Sequence, residues 1–203
     1  MYAKYGKRWL DIHAALLLLI LLSPIFVILT LLGLFAMGGR PFFVHWRPGR
    51  GERLFRLLKF RTMREIRGAD GALLPNEKRL TAYGRFLRVT SLDELPQLIN
   101  ILLGHMSFVG PRPLTRDFLP YYTPFERRRH TVRPGLTGPA QIGGRNRLPW
   151  EERFALDVAY TEHITLGRDL RILLVTVRRV LCRTDAVADP TLVEEDLIAK
   201  RKQ

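Results

Sequence analysis

The chain has 203 residues, the size of one ordinary domain, with 47% hydrophobic and 26% charged residues. This balance excludes a disordered chain and a polytopic membrane protein, and a single cysteine, Cys182, excludes a disulfide framework. The net charge is +14, and 27 of the 33 basic residues are arginine. Arginine suits phosphate recognition, but biased codon usage explains the same excess, so an anionic membrane surface, a nucleotide and a nucleic acid all remain open as partners.

The first long element is an uncharged, almost wholly apolar stretch over residues 14–37. It exceeds the ~20 residues that a helix needs to cross a bilayer core. It is also too long for the apolar core of a signal peptide, and it lacks a small-residue cleavage site. Ser23-Pro24 lies at its middle, where proline breaks or kinks a helix, and both flanks are basic. We therefore expect a re-entrant segment that is broken at Ser23 and Pro24; a straight spanning helix with a proline kink is the alternative.

A change of composition after Gly38-Gly39 marks the start of a second unit. We predict a re-entrant membrane helix over 1–39, a compact membrane-facing domain over 40–185, and a C-terminal tail over 186–203 that frays. The predicted elements of the second unit are short strands at 42–44 and 54–60 around a turn at 47–49, a polar loop at 68–78, a helix or extended segment at 80–89, a helix at 95–103, rigid Pro- and Gly-rich loops at 110–113 and 133–138, a short helix at 121–130, and helices at 150–163 and 168–183. The fold class is therefore α+β and mainly helical.

The predicted helix at 168–183 is strongly amphipathic. Leucine and valine recur on one of its faces, and all of its charged residues except Asp169 are arginine. A basic amphipathic helix of this kind can lie in a membrane interface. A helix that packs on the core and exposes its arginines to solvent has the same pattern, so both interpretations stay open.

Residues 91–97, SLDELPQ, carry the clearest candidate for chemistry, because the common zinc, nucleotide-fold and serine-hydrolase motifs are absent from the sequence. Ser91 and Glu94 fit a capping box, but Pro96 would then delete a bond inside the helix. With Asp93 as the N-cap, Pro96 falls in the first turn, where it costs little. An irregular helix start of this kind would let the adjacent carboxylates of Asp93 and Glu94 share one site. One of them could act as a nucleophile at phosphorus and its neighbour could hold a divalent cation, for which Mg²⁺ is the natural choice.

Three arginines on stiff loops supply candidate phosphate ligands. Arg112 lies in GPRP, Arg133 in RPG and Arg145 in GGRN. A rigid backbone holds a guanidinium in position at a small entropic cost. Surface or ion-paired arginines are the alternative for each one taken singly.

At this point the sequence resembles a known family, the monotopic polyprenol-phosphate phosphoglycosyl transferases of the bacterial sugar transferase family, and in particular its small members. The resemblance covers residues 7 to about 182. It is carried by KRWLD at 7–11, SP at 23–24, RPG at 47–49, KFRTM at 59–63, SLDELPQ at 91–97, SFVGPRP at 107–113, RPGLTG at 133–138, Gln141, and GRN at 144–146.

The resemblance implies transfer of a sugar-1-phosphate from a UDP-sugar to a polyprenol phosphate such as undecaprenyl phosphate, with release of UMP. Asp93 would form a phospho-sugar aspartyl intermediate, and Glu94 would bind Mg²⁺ with Asp93 close by. The expected phosphate- and nucleotide-binding residues are Lys59, Arg88, Arg112, Arg133, Gln141, Arg145 and Asp157. For Lys59 and Asp157, a buried ion pair is the alternative.

The resemblance also implies a location. Arg8, Asp11, Ser23 and Pro24 would set the membrane geometry, with the second unit on the cytoplasmic face of the bacterial inner membrane and downstream glycosyltransferases as further partners. A membrane-tethered nucleic-acid-binding protein and a membrane scaffold with an inert carboxylate pair are the competing functions. The carboxylate pair argues against the first of these because it would repel a nucleic-acid backbone.

Overall fold

A computed structural model describes residues 1–144, 148–182 and 197–201. After a π-helical turn at Tyr2–Gly6, the apolar stretch forms two helices, α1 (Lys7–Leu21) and α2 (Ser23–Ala36). The break falls at the predicted position, because Pro24 lies in the first turn of α2 and cannot continue α1. The Ser23 hydroxyl donates to the Ile20 carbonyl oxygen at 2.8 Å and thereby satisfies one helix-end carbonyl.

The two N-terminal helices meet at a 65° bend. In the described part of the chain, no single helix is long and apolar enough to cross a membrane. The bent pair taken together meets the length and composition that a crossing requires. Ala15 and Leu29 face the protein, whereas most of the remaining apolar side chains of the pair are uncovered. The exposed side chains include Leu17, Ile20, Leu21, Val27 and Phe35.

Two antiparallel strands follow, β1 (Phe42–Pro48) and β2 (Leu54–Phe60). Phe42 lies opposite Phe60, and Pro48 lies opposite Leu54. The turn that was predicted at 47–49 therefore lies later: Arg47 and Pro48 belong to the strand, and Gly51 with φ +64° turns the chain. Proline is tolerated at the last pair of a strand ladder, so Pro48 ends the strand and does not mark the turn that the sequence pattern indicated.

The other helices are α3 (Asn76–Arg79), α4 (Ala82–Thr90), α5 (Gln97–Leu102), α6 (Pro124–Arg127), α7 (Pro139–Gly143), α8 (Trp150–Glu162) and α9 (Leu166–Cys182). Short 3₁₀ turns occupy Arg50–Glu52, Leu92–Glu94, Arg116–Tyr121 and Arg128–Thr131. A parallel pair, β3 (Ser107–Val109) and β4 (Gly135–Thr137), completes the fold. The fold class is α+β and mainly helical, as predicted.

Three local predictions need correction. The 133–138 loop contains β4, which pairs with a strand far away in the sequence. The helix predicted at 121–130 is reduced to α6 and its flanking 3₁₀ turns, because Thr123 caps a new helix start in its middle. The prediction that the tail frays is wrong at 197–201, the part of the tail that the structure describes: these residues are helical, Leu197 is buried, and Arg201 pairs with Glu126 at 2.7 Å.

Helix α5 lies at the centre of the first core. Its Leu98 and Ile101 pack in one cluster with Ala15 of α1 and with Phe55 and Phe60 of β2. Full burial of side chains of this size stabilises a fold by about 1.5–3 kcal/mol each. The position of α5, and of the turn before it, is therefore fixed by both the N-terminal helices and the hairpin.

Asn100 ties α5 to β2 through its side-chain amide. Its Oδ1 accepts from the Leu58 backbone N–H at 2.9 Å, and its Nδ2 donates to the Arg56 carbonyl oxygen at 2.7 Å. This amide occupies the edge of β2 that β1 leaves free, and it is almost fully buried. The contact sets the register between α5 and the end of β2, where Lys59 lies.

Candidate functional site

The Asp93–Glu94 pair lies on the 3₁₀ turn that joins α4 to α5. Ser91 ends α4 in the left-handed conformation, with φ +57°. Neither capping interpretation holds, because neither Ser91 nor Asp93 caps a helix through its side chain; the Glu94 N–H bonds instead to the Ser91 carbonyl oxygen at 3.3 Å. The irregular helix start is present, and it lets both carboxylates face one place.

Two cations from distant elements meet this pair. Lys59 Nζ, at the end of β2, lies 2.7 Å from Glu94 Oε1 and 4.0 Å from Asp93 Oδ2. Arg112, on the GPRP loop after β3, brings Nη2 to 3.5 Å from Glu94 Oε1. Four of the residues that the sequence identified are therefore assembled in one site.

Burial makes Asp93 electrostatically unusual. Its side chain is 15% exposed. Burial raises its pKa to about 6; Lys59 opposes the rise, Glu94 adds to it, and Arg88 and Arg112 oppose it. Asp93 is therefore mostly ionised at pH 7 but poorly hydrated, which suits a nucleophile.

Arg88 lies on α4, within electrostatic reach of Asp93. Its Nε donates to the Thr62 hydroxyl at 3.1 Å, which holds the side chain between α4 and the end of the hairpin. The described cations around the pair are therefore Lys59, Arg88 and Arg112, and each comes from a different element. Three positive charges around two carboxylates leave an excess of positive charge for phosphate.

Asp157, which we expected among the phosphate-binding residues, forms an ion pair with Arg129. It is 2% exposed, and its Oδ2 accepts from Arg129 Nη2 at 2.6 Å. The buried ion pair, the alternative to direct substrate contact, is therefore the arrangement in this structure. Such a pair requires both partners, because either one alone would be an uncompensated buried charge.

Arg129 connects this buried pair to the site, and sequence reasoning missed it. Its Nη2 also donates to the Arg112 carbonyl oxygen at 2.8 Å, and its Nη1 to the Tyr122 hydroxyl at 3.1 Å. Arg129 thus fixes the backbone from which Arg112 projects. The available signal was Asp157 itself, since a carboxylate on the inward face of α8 requires a cation.

Two of the remaining predicted phosphate ligands, Arg133 and Gln141, donate hydrogen bonds to backbone carbonyl oxygens. Arg133 Nε donates to the Gly104 carbonyl oxygen at 2.8 Å, beyond the opposite end of α5 from the pair. Gln141 is buried, and its Nε2 donates to the Leu136 carbonyl oxygen at 3.1 Å. Arg145 lies outside the described residues.

The predicted membrane residues tie α1 to the site. Arg8 donates to the carbonyl oxygens of Ile101 and Leu102 at 2.6 and 2.9 Å, at the C-terminal end of α5. Asp11 is buried, and its Oδ1 accepts from the N–H of Phe108 in β3 at 3.1 Å. Two charges three residues apart, on one face of α1, thus hold the apolar helix against the end of α5 and against β3.

Asp93 and Glu94 are the candidate metal ligands of this site. In the ranges that the structure describes, no three His, Cys, Asp or Glu side chains cluster as a metal site. The chain thus offers two carboxylates, and phosphate oxygens and water would have to complete the coordination. This is the donor set that Mg²⁺ accepts, so the residues fit.

Comparisons with known proteins address the family of this chain. The profile of the family described as bacterial sugar transferase matches residues 2–183. The chain is 49% identical over 175 residues to the uncharacterized sugar transferase EpsL of Bacillus subtilis. The aligned region covers 86% of this chain and 87% of the relative. It is 40% identical over 194 residues to the exopolysaccharide production protein ExoY of Rhizobium meliloti, and this alignment covers 86% of this chain and 85% of that relative.

A third relative has a more specific name. It is the UDP-glucose:undecaprenyl-phosphate glucose-1-phosphate transferase of Caulobacter vibrioides, 41% identical over 191 residues that cover 89% of this chain and 71% of the relative. These matches confirm the resemblance that the sequence motifs predicted. The chain belongs to the bacterial sugar transferase family and is a transferase.

Proposed function

We propose that this chain moves a sugar-1-phosphate from a UDP-sugar to a polyprenol phosphate such as undecaprenyl phosphate, and releases UMP. The observation that carries the proposal is a largely buried carboxylate, Asp93, beside a second carboxylate and within electrostatic reach of Lys59, Arg88 and Arg112. The name of the Caulobacter relative describes the same type of transfer. Phosphoryl transfer depends mainly on positioning and charge neutralisation, and this arrangement supplies both.

In the first step, an Asp93 oxygen attacks the β-phosphorus of the UDP-sugar. The bond from that phosphorus to the bridging oxygen breaks, and UMP leaves with the electron pair. Arg112, which is fixed through Arg129, neutralises the charge on the phosphoryl oxygens, and Lys59 holds Glu94 beside the nucleophile. The product of this step is a phospho-sugar ester on Asp93.

In the second step, an oxygen of the polyprenol phosphate attacks the same phosphorus. The bond between phosphorus and the Asp93 oxygen breaks, and the carboxylate is regenerated. The lipid product is a polyprenyl diphosphate sugar, which suits downstream glycosyltransferases as partners. Arg88 and Arg112 offset the repulsion between the incoming phosphate and the phosphorylated side chain.

We also propose that Glu94, with Asp93, holds Mg²⁺. Bound there, Mg²⁺ would neutralise charge on the donor diphosphate. The side chains already present keep Glu94 oriented: Lys59 at 2.7 Å and Arg112 at 3.5 Å both contact its Oε1.

We further propose that the bent α1–α2 pair is a re-entrant membrane segment and that the protein lies on the cytoplasmic face of the bacterial inner membrane. Uncovered apolar side chains on both helices support this proposal. Helix α9 adds support, because one stripe along it, formed by Leu170, Leu174, Val177 and Leu181, is exposed, whereas Asp169 and Ile172 face the core. An apolar stripe on an arginine-rich helix suits a membrane interface.

The re-entrant geometry predicts that both ends of the α1–α2 pair stay inside the cell. In a Cys182→Ser background, Lys4→Cys and Arg40→Cys are each expected to resist a membrane-impermeant maleimide in intact cells and to react after permeabilisation. Labelling of one position in intact cells would establish a spanning segment instead.

The proposed reaction is tested with purified protein and a panel of UDP-sugars, each with and without polyprenol phosphate. We expect release of UMP, with one sugar preferred and with sugar phosphate recovered on the lipid. Release of UDP would indicate glycosyl transfer without phosphate and would contradict the proposal. Nucleic-acid binding that weakens with salt, without any release of UMP, would favour the competing function.

A further inference from the structure

The helical residues 197–201, which we call the C-terminal clasp, pack on a hydrophobic cluster that is separate from the core around α5. Leu197 is fully buried in this cluster, together with Leu114, Phe118, Tyr122, Trp150 and Phe154. The clasp lies beyond residues 2–183, the part of the chain that the family profile matches, so the motifs shared by the family assign it no role.

Arg201 of the clasp supplies the counter-charge for a buried carboxylate. Glu126, on α6, is 5% exposed. Arg201 Nη1 and Nη2 each donate to one of its carboxylate oxygens at 2.7 Å, and Nη1 also donates to the Tyr121 carbonyl oxygen at 2.6 Å. Burial alone would raise the pKa of Glu126, but the hydrogen bonds from Arg201 and from the Thr123 N–H outweigh burial and lower it. A bidentate pair of this kind fixes the orientation of both side chains, and so the position of the clasp on α6.

The same hydrophobic cluster surrounds Arg129, the buried arginine that fixes Arg112. The centroid of the Phe154 ring lies 5.5 Å from the Arg129 guanidinium carbon and 5.8 Å from that of Arg201. Tyr122 packs edge-on against Phe154, with ring centroids 5.5 Å apart, and its hydroxyl accepts from Arg129 Nη1 at 3.1 Å. One aromatic ring therefore contacts both the clasp and the arginine that leads to the site.

The loop that carries Arg112 is held by this assembly at two points. The Arg112 carbonyl oxygen accepts from Arg129 Nη2 at 2.8 Å. Leu114, two residues further along, buries its side chain in the cluster that Leu197 completes. Because the prolines of the GPRP loop restrict its backbone, a displacement at either point moves Arg112, whose Nη2 lies 3.5 Å from Glu94 Oε1.

We propose that Leu197 and Arg201 are positioning residues for the phosphoryl transfer: the clasp closes the cluster around Arg129 and thereby keeps the Arg112 guanidinium at the carboxylate pair. Both residues act through Arg129 and Arg112 rather than on the substrate. The inference rests on the proposed function, because it gives the clasp a part in that reaction. A guanidinium that is slightly misplaced loses more of its contact with the transition state than with the bound donor.

The test compares Arg201→Gln and Leu197→Ala with Lys200→Gln, all in the full chain. Lys200 is exposed and pairs at 3.5 Å with the exposed Glu151, so Lys200→Gln removes the same charge from the clasp without breaking a buried pair. The measurement is the first-turnover rate of UMP release against UDP-sugar concentration. We expect the maximal rate to fall about tenfold in Arg201→Gln and in Leu197→Ala, and the half-saturating concentration to change less than about twofold. Lys200→Gln should match the wild type.

A double-mutant cycle separates the positioning of Arg112 from general destabilisation. Arg112→Gln alone is expected to lower the rate about 10²-fold. In that background, Arg201→Gln should lower the rate by less than about twofold more, because the group that it positions is already gone. The same tenfold loss in both backgrounds would overturn the proposal, and so would a wild-type rate in Arg201→Gln or in Leu197→Ala, or an equal loss in Lys200→Gln.

Hydrogen exchange supplies a second readout that requires no reaction. Backbone amides in peptides from residues 107–122 should exchange faster in Arg201→Gln and in Leu197→Ala than in the wild type, whereas peptides from α5 should exchange at the wild-type rate. Unchanged exchange over 107–122 would overturn the proposal, and Leu197→Ala gives this answer where Arg201→Gln fails to fold. Failure of the clasp leaves UMP release by the wild type intact. Absence of UMP release by the wild type contradicts the proposed function and leaves the exchange result standing.

Discussion

Asp93→Asn is expected to abolish the release of UMP from the sugar donor when no acceptor lipid is present. The first step requires a carboxylate oxygen, and an amide is a poor nucleophile at phosphorus, so we expect a loss of at least about 10⁴-fold. The measurement is UMP formed per enzyme in the first turnover. Asp70→Asn, in the exposed loop at 68–72, is the matched control and should keep wild-type activity.

The same variant allows loss of chemistry to be separated from loss of fold. Because burial raises the pKa of Asp93 above that of an unfolded chain, its ionised form destabilises the native state, and this cost is present at pH 7. Replacing it with a neutral isostere removes the cost, so Tm at pH 7 should be equal to or higher than that of the wild type. An inactive variant with a clearly lower Tm would contradict this interpretation, and so would retained full turnover.

Glu94→Gln is expected to lower UMP release by about 10²–10³-fold and to weaken the dependence on Mg²⁺. A neutral amide loses both its ion pair with Lys59 and its capacity as a metal ligand. The measurement is turnover of the wild type and the variant against Mg²⁺ concentration, after treatment with a chelator. We expect the chelated wild type to be inactive and to recover with Mg²⁺.

Glu65→Gln is the control for Glu94. Glu65 is exposed and forms its ion pair with Arg61, away from the carboxylate pair, so the activity and Mg²⁺ response of this variant should match the wild type. Turnover of the wild type that is insensitive to the chelator would contradict the metal assignment. A Glu94→Gln variant with an unchanged Mg²⁺ response would do the same.

Local signals in the sequence were sufficient to predict the elements that are determined by residues close together in the chain. The helix break at Pro24 follows from the missing N–H of proline, and the antiparallel strands follow from short apolar runs on either side of a glycine turn. The meeting of Asp93, Glu94, Lys59 and Arg112 was predictable only through the motifs of the family. Composition and periodicity carry no information on which distant loops meet.

Long-range pairing explains most of what was missed. β4 is three residues long and pairs with a strand 28 residues earlier, so no local pattern indicates it. Asp157 appeared to be a candidate ligand because its partner, Arg129, lies 28 residues earlier in a run of three arginines. Helix α9 was predicted as amphipathic, but only the tertiary structure determines that Ile172 faces inward while the leucine stripe stays uncovered.

The central claim is a covalent bond between phosphorus and the side chain at position 93. The most direct measurement is the intact mass of the wild-type protein after it is mixed with the preferred UDP-sugar alone. We predict a mass increase equal to one phospho-sugar group, mapped by peptide analysis to Asp93 and removed when polyprenol phosphate is added. Stoichiometric release of UMP with no adduct, or an adduct on a different residue, would contradict the account.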